Sequence, residues 1–136
     1  MTKEPLVVFI ATYENVDDAL VDLEDIEVEH KDDFVGLFDA AIVDRKKGRL
    51  HVVKRMDRPF AHVIPEDLGF GPLSRPELKE AAAQLSSDQV ALIVIGQPTL
   101  EDAFDKAVTK ATKVVKSSVN ATPEEIANDM KEAAGG

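Results

Sequence analysis

Acid–base or metal chemistry in this chain would fall to three histidines, His30, His51 and His62, and to its many carboxylates. His30 stands among Glu27, Asp32 and Asp33, a spacing that could ligate a metal. A metal centre needs ligands that converge with supporting contacts behind them, and near neighbours in sequence supply neither. A solvated helix end is the preferred reading. His51 falls in a basic hairpin and His62 in a loop beside Val63 and Pro65. Either would act as a general base only with a Ser or Asp brought to it by tertiary contact. The chain has no Cys, which removes thiolate ligands, thiol nucleophiles and disulfides together. It has no nucleophile elbow, no Walker A loop and no dinucleotide fingerprint. Gly69-Phe70-Gly71 is a lone G-x-G and reads as a turn. No catalytic residue, cofactor or metal ligand is assigned.

The segment from 57 to 73 is the best candidate for function. Pro59, Pro65, Gly69, Gly71 and Pro72 break regular structure, yet it keeps Phe60, Val63, Ile64, Leu68 and Phe70. Apolar side chains in a loop must cover something: a sheet edge or face, a small pocket, or a second subunit. The expected function is a non-catalytic domain that self-associates, as a homodimer. The alternatives are a small-ligand sensor with a pocket under this loop, and an enzyme of the dimeric sandwich type with His51 or His62 as base.

The net charge of −10 is carried wholly by residues 1–39, which hold 12 acidic residues and 2 lysines. Such a surface repels phosphate backbones and anionic lipid, so neither nucleic acid nor membrane is an expected partner, whereas a basic protein is a possible one. The basic cluster Arg45, Lys46, Lys47, Arg49, Lys54, Arg55 and Arg58 lacks the aromatic partners of a polyanion site and reads as a solvated hairpin. Met1 to Pro5 shows no secretory pattern. The strongest apolar runs, Leu6–Ala11 and Val90–Gly96, are far short of the ~20 residues that span a bilayer. A cytosolic protein is expected.

These side chains must be positioned by local elements. Pro5–Thr12 is an apolar, β-branched run and predicts a central strand, β1. Asn15 with Asp18 caps a helix, α1, whose stripe is Val16, Ala19, Leu20, Leu23 and Ile26. Asp17, Asp18, Asp22, Glu24 and Asp25 are expected on its solvent side. Phe34–Asp44 (β2) and Gly48–Met56 (β3) predict a hairpin turning at Arg45–Gly48, with Phe38, Ala40 and Ile42 on one face and Leu50, Val52 and Val53 carrying the return.

Ser74 with Glu77 opens a second helix, α2, through Leu85. Gln89–Gly96 is a buried strand, β4. A helix capped at Thr99, α3, presents Ala103, Phe104, Ala107 and Val108. Ala111–Val119 reads as a strand, β5, in preference to a continuation of α3, because Thr112, Val114, Val115 and Val119 favour extended structure. Thr122-Pro123-Glu124-Glu125 begins a last helix, α4, through Ala134. Leu6–Leu20 can also be laid over Val90–Phe104 as an internal repeat, through ancestry or through two βα units obeying the same rules.

In this order of elements the chain resembles a bacterial family of small α/β proteins classed as a domain of unknown function, whose longer members are described as membrane proteins. The resemblance runs through Leu6–Thr12, Asp17-Asp18-Ala19-Leu20, Asp39-Ala40-Ala41-Ile42-Val43, Leu73-Ser74, Val90–Ile95, Lys113–Ser118 and Thr122–Glu125. Longer relatives carry a Gly/Ala-rich apolar segment where this chain has only residues 57–73, which argues against a membrane role here. The resemblance implies a ferredoxin-like α/β sandwich. The expected fold is therefore α+β, ordered β1-α1-β2-β3-α2-β4-α3-β5-α4 with β1 and β4 central, and the length fits a single domain over 1–136. The resemblance implies no activity and no catalytic residues.

Overall fold

A computed structural model describes residues 6–33, 37–46, 49–55, 89–98, 100–119, 124–126 and 128–129. Within them β1 is Leu6–Tyr13, α1 Val16–Asp33, β2 Leu37–Lys46, β3 Arg49–Arg55, β4 Val90–Gly96, α3 Leu100–Ala107 and β5 Lys113–Val119. Residues 124–126 and 128–129 are helical, where α4 is expected. The loop 57–73 and helix α2 lie outside the described residues, as does the hairpin turn at 47–48.

The fold is α+β, with one five-stranded sheet in the order β3-β2-β4-β1-β5 and every neighbouring pair antiparallel. It follows that β1 and β2 run the same way with β4 between them, and that β4 and β5 run the same way with β1 between them. The crossovers β1-α1-β2 and β4-α3-β5 each straddle a strand of the other.

Register divides the residues between two faces. Phe9, Ala11 and Tyr13 of β1, Val90, Leu92 and Val94 of β4, and Ala40 and Ile42 of β2 pack with Ala19, Leu23 and Ile26 of α1 and Phe104 and Ala107 of α3. On the reverse face Val8, Ile10, Ala41, Val43, Ala91, Ile93 and Ile95 are equally buried. Burial on both faces accounts for unbroken apolar runs where a one-sided sheet would alternate.

The internal repeat does not survive this division. Overlaying Leu6 on Val90 sets Phe9 on Ile93, but Phe9 faces the helices and pairs with Val94, leaving Ile93 on the reverse face. The two halves share a topology and not a facing pattern, which favours common rules over ancestry.

Local signals explain the helix ends. The Asn15 side-chain oxygen accepts the N–H of Asp18 at 2.8 Å, and the Asn15 amide donates to the Asp18 carboxylate at 3.3 Å. This satisfies one of the free donors at the start of α1. Asn15→Ala is expected to lower stability by about 1 kcal/mol in urea unfolding; no change would remove the cap from the account. At α3, Glu101 and Asp102 in the first turn and Lys106 in the last suit the helix dipole. Residues 113–119 are a strand, anchored at its start by Thr112, whose N–H and hydroxyl both donate to the Thr12 carbonyl at 2.8 and 3.0 Å.

Two expectations are corrected. Asp22 is not on the solvent face of α1; it is fully buried. Val53 does not share the burial of Leu50 and Val52. The β2–β3 register steps from Ile42↔Lys54 to Val43↔Val52, so Val53 is an extra residue and stands 40% exposed.

Candidate functional site

Both ends of the sheet order are edges, and they differ. The β3 edge is bulged at Val53 and carries the exposed Lys54 beside it, features that discourage pairing with another strand. β5 runs in unbroken register with β1 from Leu6↔Val119 to Thr12↔Lys113. It is the most exposed strand of the sheet, with Val114 at 40%. Among the described residues, no strand pairs with its outer side.

Lys116 fixes the helix side of this edge. Its ammonium donates to Asp105 at 2.9 Å and Glu101 at 3.2 Å, both on α3, and lies 5.8 Å from the centre of the Phe9 ring. Phe9 stacks on Phe104 with centroids 4.3 Å apart. The hydrogen bond to Asp105 is the largest influence on the Lys116 pKa and raises it; desolvation, next in size, lowers it, and the hydrogen bond to Glu101 and the charges of both carboxylates raise it further. The amine therefore stays protonated at neutral pH and is neither a nucleophile nor a base there. Beside it, Val7, Pro98, Glu101, Lys116, Ser117 and Ser118 line an open cleft of about 210 Å³. That is below the roughly 300–1,000 Å³ of ordinary small-molecule sites.

Two buried polar contacts brace the sheet from opposite faces. On the helix face the Tyr13 hydroxyl donates to Asp22 at 2.7 Å, and the Lys110 N–H donates to the same oxygen at 3.1 Å. One carboxylate thus ties β1, α1 and the α3–β5 connection together. Its other oxygen has no hydrogen-bond partner among the described residues. Burial first, then the hydrogen bond to Asp22 and the charges of Asp22 and Asp18, push the Tyr13 pKa well above its ordinary 10.0. On the reverse face the fully buried Asp39 accepts the Arg55 guanidinium at 2.6 Å and the Ala40 N–H at 2.9 Å.

The sequence candidates distribute as follows. Phe60, Val63, Ile64, Leu68, Phe70 and His62 lie outside the described residues. His30 falls within α1. His51 is opposite Asp44, its Nδ1 3.5 Å from a carboxylate oxygen, with 45% of its side chain exposed. It does not line the described cleft. Among the described residues, no three His, Asp or Glu side chains gather as a metal site, and no helix is long and apolar enough to cross a membrane. Sequence reasoning missed both bracing contacts and the cleft, whose lining comes from three separated segments. No family model, curated protein or solved structure matches the chain.

Proposed function

We propose that this protein is a non-catalytic, cytosolic domain that self-associates, forming a homodimer through the outer edge of β5. The observation that carries the reading is the contrast in regularity between the two edges: β3 is bulged at Val53, whereas β5, although it carries Lys113 and Lys116, is unbroken in register and exposed. A regular edge presents a row of backbone donors and acceptors that a second strand satisfies. The same reading takes β2-β4-β1-β5 with α1 and α3 as a ferredoxin-like arrangement, with β3 added at one edge. The paired crossovers, each straddling one strand, support it. Kinship with the bacterial family of unknown function belongs to this proposal and is carried by the apolar and capping patterns alone.

Light scattering across a concentration series tests the association. The wild-type chain is expected to reach a dimer mass. Val114→Lys, which adds a cation at an exposed edge position, is expected to return it to monomer while changing the stability of the single chain by no more than about 0.5 kcal/mol. A strictly monomeric wild type at the highest attainable concentration would sink the proposal.

A further inference from the structure

We infer that Asp22 is the latch of a detachable edge: β5 peels from β1 starting at Lys113, and the bond from the Lys110 N–H to Asp22 sets how readily it does so. This holds for the single chain, whether or not it self-associates. β1 is paired on both sides, with β4 and with β5, whereas among the described residues β5 pairs with β1 alone. Strands held by few buried contacts open locally at a lower cost than the whole domain. Of the seven residues of β5 only the last, Val119, is buried, and the first two, Lys113 and Val114, are exposed.

The ties along β5 are unevenly placed. At its far end Val119 is fully buried, and so is Ile126 beyond it, which makes this end the hinge. In the middle Lys116 is held by Glu101 and Asp105, but all three side chains are exposed, and such pairs contribute little. At the Lys113 end the connection from α3 is held through its backbone. The Thr112 N–H and hydroxyl share the Thr12 carbonyl, and the Lys110 N–H goes to Asp22 on α1. Asp22 is fully buried, and the Tyr13 hydroxyl holds the same oxygen. Its other oxygen has no hydrogen-bond partner among the described residues. Losing Lys110 would therefore leave a core carboxylate with Tyr13 as its one donor, and that penalty keeps the edge shut. Opening uncovers the backbone of β1 from Ile10 to Thr12, opposite Lys113–Val115, as a new strand edge.

Hydrogen exchange read by mass spectrometry tests this, at a concentration where light scattering gives the mass of one chain. In the wild type, residues 110–115 are expected to exchange faster than Val119 and faster than β4, with little acceleration by low urea. Asp22→Asn keeps an acceptor but not the carboxylate. It is expected to speed exchange at 110–115 by roughly tenfold, with a smaller change in β4. Wild-type exchange at 110–115 in step with β4 would overturn the detachable edge, and this comparison stands even if the variant fails to fold. An Asp22→Asn effect of equal size in β4 and β5 would overturn the latch.

Discussion

Replacing Asp39 with alanine is expected to cost about 3–5 kcal/mol of stability, the largest loss from any single change at a polar residue described above. Asp39 is fully buried and Arg55 only 12% exposed, so removing the carboxylate leaves a guanidinium with little access to water. The Ala40 N–H loses its acceptor as well. The pair as a whole need not stabilise the fold to that extent. Desolvating two charges offsets most of their attraction, so the double substitution Asp39→Leu with Arg55→Met should recover much of the loss. A double-mutant cycle in urea measures the coupling directly. A cost below about 1 kcal/mol for Asp39→Ala would mean that Arg55 finds water or another acceptor, and the account of the reverse face would have to change.

The second large effect belongs to Tyr13. Tyr13→Phe keeps the ring and removes the hydroxyl donor to Asp22, with an expected cost of about 1.5–3 kcal/mol, as for hydrogen bonds to charged groups. The same contact dictates an alkaline weakness. In the unfolded chain the phenol loses its proton near 10, whereas in the folded chain burial and Asp22 hold it to higher pH. From about pH 10 upward, until the folded phenol also ionises, the folded state binds more protons, so stability falls as pH rises, by up to about 1.4 kcal/mol per pH unit. Lys116, with a raised pKa, adds a weaker trend of the same sign. Subtracting the profile of Tyr13→Phe from that of the wild type isolates the tyrosine. With one Tyr and no Trp, tyrosinate absorbance has a single source. It is expected to appear together with unfolding; a smooth rise near pH 10 in folded protein would refute the buried pair.

The described strands and the Asn15 cap are legible because they depend on near neighbours. The apolar runs at Leu6 and Val90, the Asn15 cap and the β-branched 113–119 all stand close to where local pattern sets them. Asp22 departs from the expected solvent face because polarity alone does not set exposure. Its spacing from Ala19 and Ile26 puts it on the buried stripe, and the one tyrosine, inside an apolar strand, needed a hydroxyl partner. The Asp39–Arg55 pair was harder to foresee. Without the extra residue at Val53, Arg55 would stand opposite Ala40 on the helix face. With it, Arg55 stands opposite Ala41, on the same face as Asp39. Nothing in the local alternation of β3 announces that step. The cleft at α3 and the β5 edge depend on strand order, which local pattern does not carry.

The interlocked crossovers also constrain how the chain is made. Among the described strands, only β2 and β3 are neighbours both in the sheet and along the chain. β1 is complete at Tyr13, but its two partners begin at Val90 and Lys113. During synthesis an unbroken apolar strand must therefore leave the ribosome and wait for most of the domain before it can pair. Contacts of such long sequence separation slow folding, because the loop must close before any bond rewards it. The β2–β3 pair has the lowest sequence separation among the described strand pairs, and β1 can pair only after β4 or β5 has been made. Of the described strands, the last to be synthesised is laid against the first.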